Sequence, residues 1–206
     1  MIIAVDGPTA SGKGTIAKAL AAHFGLAHLD TGLLYRAVGC QVQKDGGNPD
    51  DAGDAQAAAN FPGDLLGNPE LRSETTGGLA SRVSVHPSVR QALYERQRAF
   101  ATQDGGAVLD GRDIGTVIAP EAGVKLFVTA SVEARAQRRF LEMQERGEDV
   151  SLAAIVEDLR RRDERDRSRT EAPLIPAEDA YILDTSALDR DEAITAAIDI
   201  VNQALG

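Results

Sequence analysis

A glycine-rich segment near the N-terminus has the residue types and spacing of a phosphate-binding loop. An apolar run at residues 2–6 predicts a strand, and an amphipathic stretch at residues 13–24 predicts a helix. The segment that joins them reads Gly7, Pro8, Thr9, Ala10, Ser11, Gly12, Lys13, Gly14 and Thr15. Backbone N–H groups of such a loop and the amino end of the helix offer partial positive charge to phosphates, and Lys13 can reach the terminal phosphate oxygens. We therefore predict that residues 7–15 bind a nucleotide.

Two further polar segments directly follow predicted strands. The sequence DTGLLYR, residues 30–36, follows a strand predicted at 26–30, and DGRDIGT, residues 110–116, follows one at 107–110. Open parallel sheets bind their ligands at the carboxyl ends of the strands, so we expect both segments to belong to a ligand site. Each contains an arginine, and the planar guanidinium group of arginine can bind two phosphate oxygens at once.

A cluster of arginines in the last third of the chain is a third candidate for phosphate binding. Its members are Arg160, Arg161, Arg162, Arg165, Arg167 and Arg169. The net charge of −10 argues against nucleic-acid binding, because the molecule as a whole would repel a polymer of phosphates. A local arginine cluster in an acidic protein instead favours a confined site for a small polyanion such as a nucleotide.

The elements that must position these segments alternate between short apolar strands and amphipathic helices. This order is typical of an α/β fold with a parallel sheet and crossover helices. The predicted strands are 2–6, 26–30, 107–110, 124–130 and 180–184, and the predicted helices are 13–24, 33–44, 87–102, 131–146, one from 151 and one from 189. Glycines and prolines interrupt residues 48–80, where we expect an irregular insertion with only residues 54–59 helical.

Length and composition limit the function classes. A chain of 206 residues with 43% apolar residues can bury a full core, and no apolar run is long enough to cross a bilayer. The N-terminus lacks the features of a secretory signal, so we expect a cytoplasmic protein that binds neither membrane nor nucleic acid. The single cysteine, Cys40, can form no internal disulfide. His23, His28 and His86 have no companions at metal-ligand spacing and are expected to be ordinary side chains.

The segments together resemble the bacterial cytidylate kinase family. The glycine-rich loop ends in GKGT, as in many nucleoside monophosphate kinases, where the threonine supplies the hydroxyl group. The other matching segments, in the expected order, are DTGLLYR (30–36), ASRV (80–83), PSVR (87–90), DGRDIGT (110–116) and RDERDRSRTEAPL (162–174). The resemblance covers nearly the whole chain and is weakest at 48–80. It implies a P-loop three-layer sandwich with a five-stranded parallel sheet that transfers the γ-phosphoryl group of ATP to CMP or dCMP.

The resemblance also implies a domain organisation. Residues 1–206 would form a single P-loop kinase domain, within which residues 45–100 would be the acceptor-nucleotide subdomain and residues 158–174 a short arginine-rich lid. Nothing in the sequence indicates more than a monomer.

Roles for individual residues follow from the same resemblance. ATP would be bound by residues 7–15 and by Arg138, which would pack on the adenine. Lys13, Arg112, Arg162, Arg165 and Arg169 would act on the phosphates during transfer. The residues implied for the acceptor nucleotide are Thr31, Arg36, Ser81, Arg90, Arg112, Asp113, Asp166 and Arg169. Mg²⁺ would be held by ATP oxygens, water and Thr15, with Asp110 as an acceptor behind them and Asp30 ranked after it.

The chemistry of cytosine agrees with these roles. Asp113 or Ser81 can accept a hydrogen bond from the exocyclic amine, and Arg90 can donate to the ring N3 and O2 atoms. Uracil has the opposite polarity at position 4, so a buried carboxylate there would disfavour it. No general base is needed, because the acceptor phosphate is already anionic and phosphoryl transfer depends on positioning and charge neutralisation.

Several alternatives stay open from the sequence. Another small P-loop kinase could act on AMP, UMP or shikimate, although the GFPR-type segment of adenylate kinases is absent. A nucleotide-binding switch of the GTPase kind would carry an NKxD segment, which is also absent. Arg160, Arg161 and Arg167 are expected to form ion pairs on a solvent-facing helix surface.

Overall fold

The computed structural model describes the backbone of residues 1–206 and every side chain except that of Glu74. The chain forms two compact units, residues 1–29 with 103–206, and residues 30–102. The second unit begins earlier than the acceptor subdomain predicted at 45–100. Leu34 and Val38 of the helix that opens it belong to the same hydrophobic cluster as Leu71 and Leu93, which explains the earlier boundary.

A five-stranded parallel sheet forms the centre of the first unit, as the sequence predicts. Its strands are β1 (Ile2–Asp6), β2 (Ala27–Asp30), β3 (Ala107–Gly111), β4 (Val124–Thr129) and β5 (Tyr181–Asp184). The strand order is β2-β3-β1-β4-β5, so β1 is the middle strand. Asp6 is in register with Gly111 on one side and with Phe127 on the other. The residues that follow β1 and β3 therefore begin side by side at one edge of the sheet.

Eight α-helices accompany the sheet in the part of the chain that the structure describes. They are α1 (Lys13–Phe24), α2 (Thr31–Lys44), α3 (Ala52–Ala58), α4 (Glu74–Val83), α5 (Pro87–Ala101), α6 (Val132–Glu145), α7 (Leu152–Ser168) and α8 (Arg190–Leu205). Ile16 of α1 and Val201 of α8 pack with Ile3 and Val5 of β1 in one hydrophobic cluster. The described helices are all too short or too polar to span a bilayer.

Side-chain caps fix where three of these helices begin. The hydroxyl group of Ser131 accepts a hydrogen bond from the backbone N–H of Ala134, and Ser151 caps α7 in the same way. Asp189 and Glu192 form a reciprocal capping box at the start of α8. The predicted starts of these helices are confirmed to within one residue.

The prediction for residues 48–80 is wrong. Instead of an irregular insertion with one helical piece, this stretch contains α3, two short 3₁₀-helices at Gly63–Gly67 and Pro69–Arg72, and most of α4. Ser73 caps α4 by accepting from the N–H of Thr76. Helix α4 forms despite its glycines because it packs tightly on α2, where Gly39 leaves room for Leu79.

The close approach at Gly39 gives a test of this packing. A Cβ atom added to Gly39 would lie 2.6 Å from the Cβ atom of Leu79, so Gly39→Ala must push α2 and α4 apart. We expect the free energy of unfolding to fall by about 1–3 kcal/mol, measured by urea denaturation. Gly78→Ala is the matched control, since its added methyl group meets no atom within 4 Å. That variant should gain about 0.5–1 kcal/mol from helix propensity. A Gly39→Ala protein as stable as the wild type would contradict the packing argument.

Candidate active site

The glycine-rich loop adopts a conformation that few other residues could support. Gly7 has φ +153°, and a Cβ atom there would lie 2.0 Å from the carbonyl oxygen of Val128. Gly12 has φ +90° and precedes α1, and its carbonyl accepts the first hydrogen bonds of that helix. The Nζ atom of Lys13 donates to the carbonyl oxygen of Pro8 at 3.3 Å. The loop therefore curls around the amino end of α1 with Lys13 folded back on it, as phosphate binding requires.

The arginine of the DGR segment connects this loop to α7. Arg112 donates from Nε to Asp166 at 2.8 Å and from NH2 to the hydroxyl group of Thr9 at 2.6 Å. Burial acts to raise the pKa of Asp166, but the charges of Arg112 and Arg169 outweigh burial and hold that pKa below its usual value. Asp166 is therefore a carboxylate that keeps Arg112 in place.

Two of the three predicted lid arginines lie in this charged cluster. Arg162 is almost fully buried, with NH1 3.7 Å from the carboxylate of Asp158. Burial lowers the pKa of Arg162, and the nearby positive charge of Arg112 lowers it further. Arg169 donates from Nε to the backbone carbonyl of Asp166 at 3.3 Å. Such concentrated and desolvated positive charge is suited to binding an anion.

The remaining arginines of α7 divide according to the helix period. Arg165 is half-buried, whereas Arg160, Arg161 and Arg167 are exposed. Arg160 lies 3.5 Å from Glu133, and Arg161 lies 3.6 Å from Asp158. The prediction of solvent-facing ion pairs is confirmed for these last two pairs.

Asp6 is a site residue that sequence reasoning missed. Its carboxylate, at the end of β1, accepts hydrogen bonds from the N–H groups of Ile114 and Gly115, each at 2.8 Å. These donors belong to a π-helical turn, Ile114–Ile118, that directly follows the buried side chain of Asp113. Asp6 thereby fixes the backbone that carries Arg112 and Asp113. The sequence offered only an acidic residue at the end of a strand, and its partners are more than a hundred positions away.

A second missed contact involves the candidate metal-site residue Asp110. The Nε2 atom of His28 lies 2.8 Å from a carboxylate oxygen of Asp110, which is almost fully buried. The other oxygen faces the glycine-rich loop, 3.7 Å from where a Cβ atom on Gly14 would lie. Thr15, the predicted hydroxyl ligand, is exposed at the next position. Among the described side chains no group of three acidic, histidine or cysteine residues is arranged to hold a metal ion.

The second unit holds four of the predicted acceptor residues. Thr31 is buried at the start of α2. One end of the Arg36 guanidinium group donates to the carbonyl oxygens of Leu71 at 2.8 Å and Ser73 at 2.7 Å. These contacts fix the orientation of Arg36, which lies on the buried side of α2 next to Tyr35.

Ser81 and Arg90 lie on the helices α4 and α5. The backbone carbonyl of Ser81 accepts from the hydroxyl group of Ser84 at 3.2 Å. The guanidinium carbon of Arg90 lies 5.8 Å from the ring centre of Tyr35, within range of a cation–π interaction. Tyr35 is buried in the core of this unit, which favours a packing role for its ring.

Arg138, predicted to pack on adenine, is engaged with the turn after β5. It donates to the hydroxyl and carbonyl groups of Thr185, with the hydroxyl contact at 3.1 Å, and to the carbonyl of Leu188 at 3.2 Å. These bonds use the edge of the guanidinium group. Stacking would use its face, so the adenine contact stays a prediction.

A match to a known family now joins the geometry. The family model described as cytidylate kinase matches residues 3–203. The chain belongs to the cytidylate kinase family. A cytidylate kinase from Xanthobacter autotrophicus is 55% identical over 201 residues, covering 98% of this chain and 97% of the relative. A cytidylate kinase from Azorhizobium caulinodans is 53% identical over 206 residues, covering 100% of both chains.

Similarity to a solved structure supports the fold. The crystal structure of an uncharacterized protein from Eubacterium ventriosum has a TM-score of 0.54 at 15% identity and covers 100% of this chain and 99% of that one. Family membership confirms the predicted class, an ATP-dependent nucleoside monophosphate kinase, and argues against the GTPase-type switch.

The buried carboxyl group of Asp6 should give stability a measurable pH dependence. Burial, helped by the charge of Asp113 and opposed by the two backbone N–H donors, raises the pKa of Asp6 from about 3.8 to about 7. The folded state therefore holds a proton that the unfolded chain releases, and stability is lost as pH rises from about 4 to about 7. One such group contributes a slope of about 1.4 kcal/mol per pH unit.

Asp6→Asn removes this titration. Denaturant unfolding measured across pH 4.5 to ~7.5 should show a shallower loss of stability in the variant than in the wild type. Using the difference between the two proteins cancels the contributions of the other titrating groups. Parallel pH profiles would show that Asp6 is ionised throughout this range.

Proposed function

We propose that the protein transfers the γ-phosphoryl group of ATP to CMP or dCMP, giving ADP and CDP or dCDP. The observation that carries the proposal is the bonding of Arg112, which reaches the glycine-rich loop through Thr9 and helix α7 through Asp166. In a member of the cytidylate kinase family, this arrangement brings one phosphate-binding arginine to the loop that binds ATP and to the helix that carries the other arginines.

The donor phosphates would be bound by the loop and its lysine. Backbone N–H groups of residues 7–15 and the Nζ atom of Lys13 supply positive charge to the β and γ phosphates. Arg162, Arg165 and Arg169 are proposed to neutralise the charge that develops during transfer. Because the arginines are already desolvated or held by Asp166, little reorganisation is needed when the phosphates arrive.

The acceptor nucleotide would be recognised by residues of both units. In the first unit, Arg112 is proposed to bind its phosphate, Asp113 the cytosine amine, and Asp166 with Arg169 its ribose and phosphate. In the second unit, Arg36 is proposed to bind the acceptor phosphate with Thr31 beside it. Ser81 and Arg90 are proposed to contact the cytosine ring. The fixed orientation of Arg36 supports this role, because a guanidinium group anchored at one end presents its other end in a defined direction.

The oxygen donors fit a magnesium ion brought in with ATP. Mg²⁺ usually keeps several waters and is bound by one or two protein oxygens together with substrate phosphates. Thr15 would supply its exposed hydroxyl group, and Asp110 would hold a coordinated water. His28 orients the Asp110 carboxylate through its 2.8 Å contact. When bound, the ion would neutralise charge on the triphosphate. The monomeric state and cytoplasmic location expected from the sequence stay predictions.

A panel of monophosphates tests the proposed substrate. With ATP and Mg²⁺, the purified protein should form ADP fastest with CMP and dCMP. UMP should have a kcat/KM lower by about 100-fold or more, because its polarity at position 4 leaves a buried carboxylate unpaired. The reaction is followed by coupled detection of ADP, with EDTA as the metal-free control. Equal turnover with AMP or UMP would overturn the substrate assignment.

The bidentate role of Arg112 is tested by Arg112→Lys. The lysine keeps a positive charge beside Asp166 but cannot bind Asp166, Thr9 and a phosphate at once. We expect kcat/KM for CMP to fall by about 100-fold with the far-UV circular dichroism unchanged.

Arg161→Lys is the matched control for Arg112→Lys. It makes the same change on α7 at a side chain that is 65% exposed. Its activity should equal that of the wild type. A fully active Arg112→Lys enzyme would remove Arg112 from the proposed phosphate site.

A further inference from the structure

The most completely buried large polar side chain of the described residues is Arg135, on α6. It is 1% exposed, and neither the family resemblance nor the proposed function gives it a role. Its guanidinium group forms a bidentate ion pair with Asp163 of α7, with N···O distances of 3.0 and 2.5 Å. It also donates from Nε to the carbonyl of Ala130 at 3.0 Å and from NH1 to the carbonyl of Thr9 at 3.0 Å. One side chain thus joins the end of β4, helix α7 and the glycine-rich loop.

Thr9 is the point where two such pairs meet. Its carbonyl oxygen accepts from Arg135, and its hydroxyl oxygen accepts from Arg112. The two arginines are paired with Asp163 and Asp166, which lie three positions apart on α7 and therefore on the same helix face. The residue of the loop that both arginines hold is consequently tied to α7 in two directions.

The bond from Arg135 also sets the direction of a backbone N–H group. A trans peptide is planar, so its N–H points opposite to its C=O. By holding the Thr9 carbonyl, Arg135 fixes the plane of the Thr9–Ala10 peptide and aims the N–H of Ala10 away from itself. Ala10 has φ +61°, a left-handed conformation that is unfavourable for a residue with a side chain. An external bond is therefore needed to keep this peptide in one orientation.

Stability alone does not account for a buried ion pair of this kind. Removing two charges from water offsets most of their mutual attraction, and well-packed apolar residues of similar volume often stabilise a protein as well or better. Apolar neighbours are at hand, since Ala136, Ile155 and Leu159 form a cluster between α6 and α7. What an apolar pair could not supply is the hydrogen bond to Thr9.

We propose that Arg135 and Asp163 are positioning residues, which hold the Thr9–Ala10 peptide and the arginines of α7 in the one arrangement that phosphoryl transfer requires. Neither residue touches the substrate in this proposal. It rests on the proposed function, because its main readout is the rate of phosphoryl transfer to CMP. It adds a requirement that the fold and the phosphate-binding residues alone do not impose.

The first test is Arg135→Lys. The lysine can pair with Asp163, but its single ammonium group cannot also bind Ala130 and Thr9 in the same geometry. We expect kcat to fall by about 10- to 100-fold while KM for CMP and for ATP stay within about threefold of the wild type, because misplaced groups affect the transition state more than ground-state binding. The melting temperature should fall by less than about 8 °C.

The control variant is Arg160→Lys. Arg160 also joins α7 to α6, through Glu133 at 3.5 Å, but it does so on the surface, where its side chain is 59% exposed. We expect both kcat and the melting temperature of this variant to equal those of the wild type. A kcat loss as large as that of Arg135→Lys would overturn the proposal, because any link between the two helices would then suffice.

The second test separates positioning from stability. Arg135→Met leaves the buried Asp163 carboxylate without its partner and should lower the melting temperature by about 10 °C. The double variant Arg135→Met with Asp163→Leu should recover most of that loss, because no unpaired charge is left. Its kcat should nevertheless stay at least about 10-fold below that of the wild type, because the Thr9 carbonyl still lacks its donor.

The outcomes are distinct. A wild-type kcat in the double variant or in Arg135→Lys would overturn the proposal and make the pair purely structural. An Arg135→Lys protein that is unfolded at the assay temperature would overturn it as well, since the role of the pair would then be stability. Failure of the proposed function has a different signature, which is a wild-type enzyme without activity on CMP or dCMP.

Discussion

Charge buried at the carboxyl edge of the sheet is the constraint on which the rest of the site depends. Asp6, Arg135, Arg162, Asp163 and Asp166 are each at most 6% exposed, although charged groups leave water only at a high free-energy cost. The carboxylates are satisfied by backbone N–H groups or by arginines. Arg162 is only weakly paired, at 3.7 Å from its partner, and burial lowers its pKa. A bound phosphate would supply the negative charge that this cluster lacks.

Helix α7 distributes its charges in a way that this constraint explains. Asp163 and Asp166 face inward and hold Arg135 and Arg112, which belong to other elements. Arg162 and Arg169 lie on the same side, whereas Arg160 faces water. The carboxylates of the lid helix therefore position arginines from elsewhere in the chain, and the helix contributes its own arginines to the same cluster.

The sequence predicted the sheet and most helices because their signals are local. The strand at 2–6, the glycine-rich loop and the caps at Ser131 and Asp189 each depend on residues within a few positions of one another. The structure of residues 48–80 could not be predicted in this way, because α4 contains glycines and forms through packing on α2. Local propensity and tertiary packing disagree there, and packing wins.

The site residues that the sequence missed share a different property. Asp6 binds a turn 108 positions away, His28 binds Asp110 82 positions away, and Arg135 reaches Thr9 across 126 positions. Each is a common residue type without a motif of its own, so no local pattern marks it. Motifs identify the groups that are implied to touch nucleotide, whereas the residues that hold those groups become visible only when the strands are placed side by side.

This distinction limits what the fold says about the function. A protein with 15% identity shares the architecture over its full length, so the apolar pattern that builds the sheet tolerates wide sequence change. The polar residues at the carboxyl edge are a separate layer of information, because the same sheet would form around many different loops. Arg112 illustrates the point, since nothing in the hydrophobic core requires its bonds to Thr9 and Asp166. The activity must therefore be argued from that edge, where each buried charge needs a partner and the excess of arginine indicates an anionic ligand.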